Sequence, residues 1–277
     1  MKSALVVEGG AMRGIFAAGV LDKFMEANYF PFDFGIGVSA GATNLSTYVT
    51  RAHGLSRTII TEFATRREFY NPVRFMQGGH MTDVHWLWHH AKKNLGLPVP
   101  SAQSAFPMYV GITNVDNGKC EYHLASTDNV DKLMVASCAI PTAYREQPVI
   151  NGQRYVDGGV ADAIPVKQAY DMGARNITVI LSQPRGFIKP AMKSTWLLER
   201  LYGHQPALLQ TLIHRFERYN ESLAFLANPP AGCHITVIAP SHSFCVKRLT
   251  MNRAKLLKGY AQGRRMGRRA LHGKKAA

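Results

Sequence analysis

The sequence has few cysteines and no long apolar run, and each of these absences excludes a class of protein. The 4 cysteines among 277 residues, at positions 120, 138, 233 and 245, show no metal-type spacing. No apolar segment is long enough to span a bilayer. Glu8 interrupts the apolar run at the N-terminal end, which disfavours a signal peptide. We therefore expect a reduced, cytoplasmic protein whose length can bury a large α/β core.

Acidic residues are missing from the C-terminal part of the chain, whereas basic residues are concentrated there. The net charge is +15, no Asp or Glu follows Glu221, and 11 of the 33 basic residues lie from Lys247 onward. Gly259, Gly263 and Gly267 would share one face of a helix. The apolar positions of this basic tail could form a helical stripe: Leu249, Leu256, Leu257, Tyr260 and Leu271.

Three interpretations of the basic tail remain open. It can be a helix docked on the core with its charges in water. It can be attracted to anionic lipid headgroups, which would give peripheral contact at the inner face of the membrane. Nucleic-acid binding is disfavoured because the sequence contains no recognised nucleic-acid module.

A serine in a G-x-S-x-G pattern stands where an apolar run meets a potential helix. Residues 32–38 are mostly apolar, Ser39 is flanked by Gly37 and Gly41, and residues 42–52 can form a helix. This order is the context of a nucleophile elbow, in which the two glycines leave room for a strained turn around the serine. The pattern alone is weak, so its meaning depends on the motifs that accompany it.

A glycine-rich loop precedes this elbow, between a predicted buried strand over residues 5–7 and a predicted amphipathic helix over residues 15–26. The loop contains Gly9, Gly10, Ala11, Arg13 and Gly14. Backbone N–H groups of such a loop can bind an anion. A dinucleotide fingerprint would need glycine at position 11, and a P-loop would need a Lys-Ser/Thr pair. Considered together with the serine, the loop predicts an oxyanion hole.

Downstream, Asp157 ends a predicted strand and is followed by Gly158 and Gly159. On its own, an Asp-Gly pair is common in turns. A serine hydroxyl, however, is a poor nucleophile until a neighbouring base takes its proton. An aspartate, whose ordinary pKa is about 3.9, can act as that base when it is partly desolvated.

Taken together, these motifs resemble the patatin-like phospholipase family. The E-G-G-x-x-R-G loop, G-V-S-A-G, residues 137–141 and D-G-G occur in that order, and the resemblance covers roughly residues 4–241. It implies a serine acyl-ester hydrolase of lipids with a Ser–Asp dyad, no catalytic histidine, no metal and no cofactor. Ser39 would be the nucleophile and Asp157 the base. Ala11, where many members have a third glycine, and Glu8, which replaces a common Asp, are departures from the family pattern.

Two alternatives to this function remain open. A Ser–His α/β-hydrolase or acyltransferase would need a late histidine, and the candidates are His204, His214, His234, His242 and His272. A catalytically silent membrane- or partner-binding module would not need the intact motifs.

A group of histidines, at positions 80, 85, 89 and 90, lies between the elbow and the next predicted strands. A metal site there is disfavoured because the H-E-x-x-H glutamate is missing. Residues 56–100 are well placed to form a lid, with Trp86 and Trp88 as apolar contacts.

The rest of the chain alternates strand and helix patterns, with a predicted hairpin around residues 116–118. The alternation predicts a three-layer α/β/α fold with a mainly parallel central sheet. We expect an acyl hydrolase domain over residues 1–241 and a basic helical segment over residues 242–277.

Overall fold

The computed structural model describes residues 1–273 of the chain. Within these residues the strands are β1 (Lys2–Val7), β2 (Phe34–Val38), β3 (Met108–Asn114), β4 (Cys120–Leu124), β5 (Val149–Ile150), β6 (Gln153–Asp157), β7 (Ala174–Ile180) and β8 (His234–Ile238). The α-helices are α1 (Ile15–Glu26), α2 (Ala40–Val49), α3 (Leu55–Thr58), α4 (Pro72–Met76), α5 (Val84–Leu95), α6 (Val130–Cys138), α7 (Val166–Asp171), α8 (Trp196–Tyr202), α9 (Pro206–Ile213), α10 (Arg215–Ala227) and α11 (Arg253–Gly273). The predicted hairpin is formed by β3 and β4.

The strands form one sheet in the order β5-β6-β3-β2-β1-β7-β8, and β4 also pairs with β3. Within the spatial run β3-β2-β1-β7-β8, neighbouring strands are parallel. Strands β4 and β6 are antiparallel to β3, and β5 is antiparallel to β6. Strands that are buried on both faces read as continuous apolar runs, as residues 4–7 do. The prediction of a mainly parallel central sheet is confirmed.

Helices cover both faces of this sheet. Alternate side chains of β1 enter different apolar clusters. Leu5 belongs to a cluster that contains side chains of α1, α2, α5 and α6, and Val6 to one that contains side chains of α7 and α10. This alternation follows from the two-residue period of a strand. Because each face buries its own apolar cluster, the fold is the predicted three-layer α/β/α arrangement.

The antiparallel strand β6 brings two distant parts of the chain together. One edge of β3 pairs with β4, and the other edge pairs first with β2 and then with β6. Val38, the last residue of β2, lies opposite Gly111, and Asp157, the last residue of β6, lies opposite Ile112. The ends of β2 and β6 therefore meet at adjacent positions along β3.

The basic tail forms α11, which packs closely against α1. A Cβ atom at Gly263 would lie 2.1 Å from the carbonyl oxygen of Phe16, and one at Gly19 would lie 2.2 Å from that of Tyr260. Glycine is therefore required on both sides of this helix contact. Leu256 and Tyr260 are buried in the interface.

One residue of the expected helical stripe lies outside α11. Leu249 does not join the helical stripe, because it lies before α11 and lines a cavity beside Ser39 instead. Lys274 and Lys275, the last two basic residues, lie outside the described residues. Among residues 1–273, no helix combines the length and apolar character needed to cross a bilayer.

Replacing Gly263 with alanine tests the α1–α11 contact. Alanine favours an isolated helix over glycine by about 1 kcal/mol, but crowding at a packed contact costs about 1–3 kcal/mol. We expect the urea midpoint of Gly263→Ala to fall below that of the wild type. Gly273→Ala is the matched control, since a Cβ at that position meets nothing within 4 Å. A Gly263→Ala protein as stable as the Gly273→Ala protein would contradict the close contact.

Candidate active site

Ser39 occupies a sharp turn between the end of β2 and the start of α2, which begins at Ala40 rather than at the expected residue 42. Its backbone has φ 55° and ψ −131°, a region that L-residues rarely adopt. A Cβ atom at Gly41 would lie 2.2 Å from the Val7 carbonyl oxygen, and one at Gly37 would lie 2.6 Å from Ala42 Cα. Both motif glycines are therefore needed for the chain to make this turn.

The turn presents the serine side chain to Asp157. Ser39 Oγ donates a hydrogen bond of 2.6 Å to Asp157 Oδ2, and the Gly159 N–H donates one of 2.8 Å to Oδ1. A Cβ atom at Gly158 would lie 2.1 Å from the Gly111 carbonyl oxygen, so only glycine lets this segment lie so close to β3. The serine and the aspartate are 6% and 4% exposed. The structure thus brings together two residues that are 118 positions apart.

Ser137, near the end of α6, fixes the elbow to the sheet. The Ser39 N–H donates to Ser137 Oγ over 2.8 Å, and the Ser137 hydroxyl donates to the Gly111 carbonyl over 2.7 Å. The sequence motif marked residues 137–141, but it did not indicate that the serine there contacts the elbow. The available signal was a serine at the end of an apolar stretch, at a position that the structure shows to be fully buried.

The first half of the glycine-rich loop faces the pair. Gly9, Gly10 and Ala11 line a small cavity together with Ser39 and Asp157. The Gly9 N–H donates over 3.4 Å to Ala163, whereas the N–H groups of Gly10 and Ala11 donate no hydrogen bond within residues 1–273. Ala11 has φ 49°, the left-handed conformation that explains a preference for glycine at this position. Two backbone N–H groups beside the serine are therefore without a hydrogen-bond acceptor among the described residues.

The second half of the predicted loop lies outside this cavity. The Arg13 guanidinium donates to Ser182 Oγ over 3.1 Å and 3.3 Å, and the Ser182 hydroxyl donates to Glu8 over 2.8 Å. The Gly14 carbonyl accepts a hydrogen bond of 2.8 Å from the Asn44 side chain. Arg13 and Gly14 thus anchor the loop to Ser182, which follows β7, and to α2.

An apolar cavity extends from Ser39 into the layer that contains α2, α5 and α6. Much of its wall comes from residues 56–97, which lie within the segment 56–100 expected to form a lid. The apolar side chains lining it include Met12, Ile59, Ile60, Leu87, Trp88 and Met134. Trp88 is held by a hydrogen bond of 2.7 Å from its Nε1 to Asp131. The cavity offers an apolar environment directly beside the serine hydroxyl.

Burial raises the pKa of Asp157 above its ordinary value, and the Ser39 hydrogen bond and the positive charge of Arg215 offset part of that rise. Arg215 Nε donates to the Gly159 carbonyl over 2.6 Å. Neither Arg215 nor Arg248, which lines the cavities beside the serine, was predicted as a site residue from the sequence. Neither arginine stands in a recognisable motif, so no local signal could have found them.

No histidine lines these cavities within the described part of the chain. Of the late histidines, His204, His234, His242 and His272 are exposed, and His214 pairs with Glu217. The earlier histidines stack on other rings: His85 on His89, His80 on Tyr144 and His90 on Trp86. No group of three metal-ligating side chains occurs among residues 1–273.

Comparison with known proteins extends these observations. A model of a domain of unknown function matches residues 205–275. The chain is 36% identical over 276 residues to the uncharacterized protein YjjU of Escherichia coli strain K12, covering 96% of this chain and 76% of that protein. It is 37% identical over 93 residues to the mouse 1-acylglycerol-3-phosphate O-acyltransferase Pnpla3, which covers 32% of this chain and 21% of that protein.

Among solved structures, VipD from Legionella pneumophila matches 96% of this chain and 66% of that chain, with a TM-score of 0.43 and 12% identity. The model of the family described as patatin-like phospholipase matches residues 5–170, which is more than half of the chain. The chain therefore belongs to the patatin-like phospholipase family and is a lipid ester hydrolase.

Proposed function

We propose that this protein hydrolyses acyl esters of lipids through a covalent intermediate on Ser39, with Asp157 as the base. The observation that carries the proposal is the hydrogen bond of 2.6 Å from Ser39 Oγ to Asp157 Oδ2, at the end of an apolar cavity. The cavity would receive the acyl chain and so place the ester carbonyl at the serine.

The first half of the reaction forms the acyl-enzyme. Asp157 takes the hydroxyl proton as Ser39 Oγ attacks the carbonyl carbon. The Gly10 and Ala11 N–H groups would donate to the oxyanion of the tetrahedral intermediate, and one such donor typically contributes about 3–4 kcal/mol. The carbon–oxygen bond to the alcohol then breaks, and the departing alkoxide takes the proton from Asp157.

The second half of the reaction releases the fatty acid. Asp157 accepts a proton from water as the water oxygen attacks the acyl carbon, and the proton returns to Ser39 Oγ as the fatty acid leaves. An alcohol in place of water would give acyl transfer, the activity named for the relative Pnpla3. The geometry favours the dyad over the Ser–His alternative, because Asp157 already holds the serine hydroxyl and no described histidine lines the site.

Substitution of the dyad tests the proposal. We expect Ser39→Ala to lose nearly all hydrolysis of a soluble p-nitrophenyl ester, since loss of a nucleophile can cost on the order of a millionfold. The kcat/KM of Asp157→Asn should also fall sharply, because asparagine keeps the shape of the aspartate side chain but lacks its basic oxygen. The measurement is kcat/KM, with folding checked by circular dichroism.

Asp162→Asn is the matched control for the aspartate, because burial also raises the pKa of Asp162, whose carboxylate accepts from the Tyr122 hydroxyl instead of the serine. We expect this variant to retain most activity. The Ser–His alternative would be supported instead if Asp157→Asn keeps wild-type activity while replacement of one of the five late histidines abolishes turnover in a folded protein.

The pH dependence of hydrolysis tests the role of Asp157 separately. Because burial raises the pKa of Asp157, kcat/KM should fall as pH falls through a value above 3.8, where the carboxylate becomes protonated. Arg215→Gln removes a positive charge that favours the carboxylate, so the acidic limb of the plot of kcat/KM against pH should move to higher pH.

Arg218→Gln is the control for this shift, since Arg218 lies one turn along α10 and bonds Ala161. It should leave the limb in place. An acidic limb near the ordinary histidine pKa of about 6.5 that Arg215→Gln does not move would instead indicate a histidine base.

We also propose that the basic tail attracts the enzyme to anionic membrane surfaces. Two of its arginines are already paired within the fold, Arg264 with Glu26 and Arg253 with Glu62. The Arg264 hydrogen bond lowers the pKa of Glu26 to about 2. Exposed basic residues of α11 that form no ion pair within residues 1–273 are Lys255, Lys258, Arg265, Arg268 and Arg269. These are the charges available to lipid headgroups.

Charge reversal at three of these positions tests the attraction. One basic residue near an anionic surface contributes about 1 kcal/mol, and salt screens this contribution. The triple variant Arg265→Glu, Arg268→Glu and Arg269→Glu should bind anionic vesicles more than about tenfold more weakly in co-sedimentation at low salt.

The control variant carries glutamate at Arg67, Lys119 and Lys132, which are exposed residues outside α11, and so changes the net charge equally. It should bind vesicles more tightly than the tail variant. Equal binding by the two variants would contradict the proposal and support the interpretation of the tail as a docked helix whose charges face water.

A further inference from the structure

Besides the small cavity and the apolar cavity, a further cavity of about 460 Å³ opens beside the dyad and is called the second cavity below. It shares Gly9, Arg215 and Arg248 with the small cavity that contains Ser39 and Asp157. It is distinct from the apolar cavity, with which it shares only Arg248. The dyad therefore lies between an apolar space and this second space.

Four basic residues line the second cavity: Arg13, Lys189, Arg215 and Arg248. None of them forms a salt bridge within residues 1–273. The one carboxylate in the lining, Glu8, already accepts hydrogen bonds from the Ser182 N–H, the Ser182 hydroxyl and the Tyr219 hydroxyl. We name these four residues the cationic cluster.

The cationic cluster retains donors for a ligand. Arg215 uses its Nε for Gly159, and Arg13 bonds Ser182, but no hydrogen bond from the Lys189 ammonium or the Arg248 guanidinium occurs in the described chain. Lys189 lies over the ring of Tyr219, 5.2 Å from its centre. These side chains surround a space large enough for a polar group and direct positive charge into it.

Burial, and after it the neighbouring positive charges, disfavour the charged forms of two residues of the cluster. Burial and the charges of Arg215 and Arg248 lower the pKa of Lys189 to about 7. Burial and Arg248 lower the pKa of Arg215 to about 10. An anion in the cavity would favour the charged forms of both residues, because opposite charges at close range stabilise each other.

The position of the cluster indicates which half of the substrate would carry the anion. An ester attacked by Ser39 has its acyl chain on one side of the carbonyl and its alcohol on the other. If the acyl chain fills the apolar cavity, the alcohol half points toward the small cavity and the cationic cluster beyond it.

We propose that the cationic cluster binds a phosphomonoester on the alcohol half of the substrate, so that the enzyme prefers acyl glycerol phosphates to acyl glycerols with neutral or choline-bearing heads. The inference rests on the proposed function. Three of the four residues, Lys189, Arg215 and Arg248, lie beyond the region matched by the family model. A dianion can accept from several of these donors at once, whereas a quaternary ammonium would meet repulsion.

The kinetic test compares three substrates with the same acyl chain: a monoacylglycerol phosphate, a monoacylglycerol and a monoacylglycerophosphocholine. We expect the wild-type kcat/KM for the phosphate to exceed the other two values at least tenfold. In the double variant Lys189→Gln and Arg248→Gln, the ratio of the phosphate value to the monoacylglycerol value should fall at least tenfold. Expressing the result as a ratio separates lost selectivity from a general loss of activity.

The control double variant is Lys193→Gln and Arg200→Gln, which removes two exposed charges near the cavity that do not line it. Its ratio should equal that of the wild type. Equal wild-type values for the three substrates would overturn the inference and leave the proposed lipid hydrolase intact.

A binding test does not depend on turnover. Calorimetry on Ser39→Ala protein would compare glycerol 3-phosphate, inorganic phosphate and glycerophosphocholine, with and without the Lys189→Gln and Arg248→Gln changes. We expect glycerol 3-phosphate to bind at least tenfold more tightly than glycerophosphocholine and to lose that advantage in the variant. Failure of glycerol 3-phosphate to bind would overturn the inference, and so would inorganic phosphate binding as tightly as glycerol 3-phosphate, since the site would then serve free phosphate.

Discussion

The hydrogen bond between Ser39 and Asp157 depends on one edge of β3. That edge pairs with the end of β2 and then with the end of β6, which run in opposite directions along it. The last residues of the two strands consequently meet, with the elbow serine just beyond one and the aspartate at the end of the other. Gly158 allows the close approach to Gly111, and Ser137 ties the Ser39 backbone to the same Gly111 carbonyl. Gly158, the turn at Ser39 and Ser137 of α6 therefore all help to position this one hydrogen bond.

Burial gives this contact its chemical character. Asp157 is almost fully enclosed, so its pKa rises and it becomes a stronger base than an exposed aspartate. Arg215 limits the rise from its position beside Gly159, and it also belongs to the cationic cluster. A negatively charged substrate at the cluster would therefore act on the electrostatics of the dyad as well as on substrate position. The α1–α11 contact is a separate constraint, set by glycine at close helix packing.

Local patterns predicted most of the fold. Helix α1 begins and ends at the expected residues, because an apolar stripe and a glycine-rich loop define it within a short stretch of sequence. The two-faced sheet followed from continuous apolar strands. Ser39 and Asp157 were recognisable as candidates because each stands beside glycines that the backbone geometry requires. The direction of β6, which brings the dyad together, is a property of the folded sheet and has no local signal.

Residues that act at long range could not be predicted. Lys189, Arg215 and Arg248 stand in three separate segments, and no spacing rule connects them. Arg13 was expected to complete the oxyanion loop; its guanidinium donates to Ser182 and does not line the small cavity beside Ser39. Leu249 looked like a helical position because its spacing from Leu256 fits a helix, yet the chain before Arg253 passes beside the cavity instead.

The central claim is that Ser39, held by Asp157, is the residue that becomes acylated. The most direct measurement is reaction of the wild-type protein with an uncharged alkyl fluorophosphonate, followed by digestion and mass spectrometry of the peptides. We expect one covalent adduct per chain, located on Ser39. An adduct on a different residue, or no adduct in a protein that still hydrolyses esters, would contradict it.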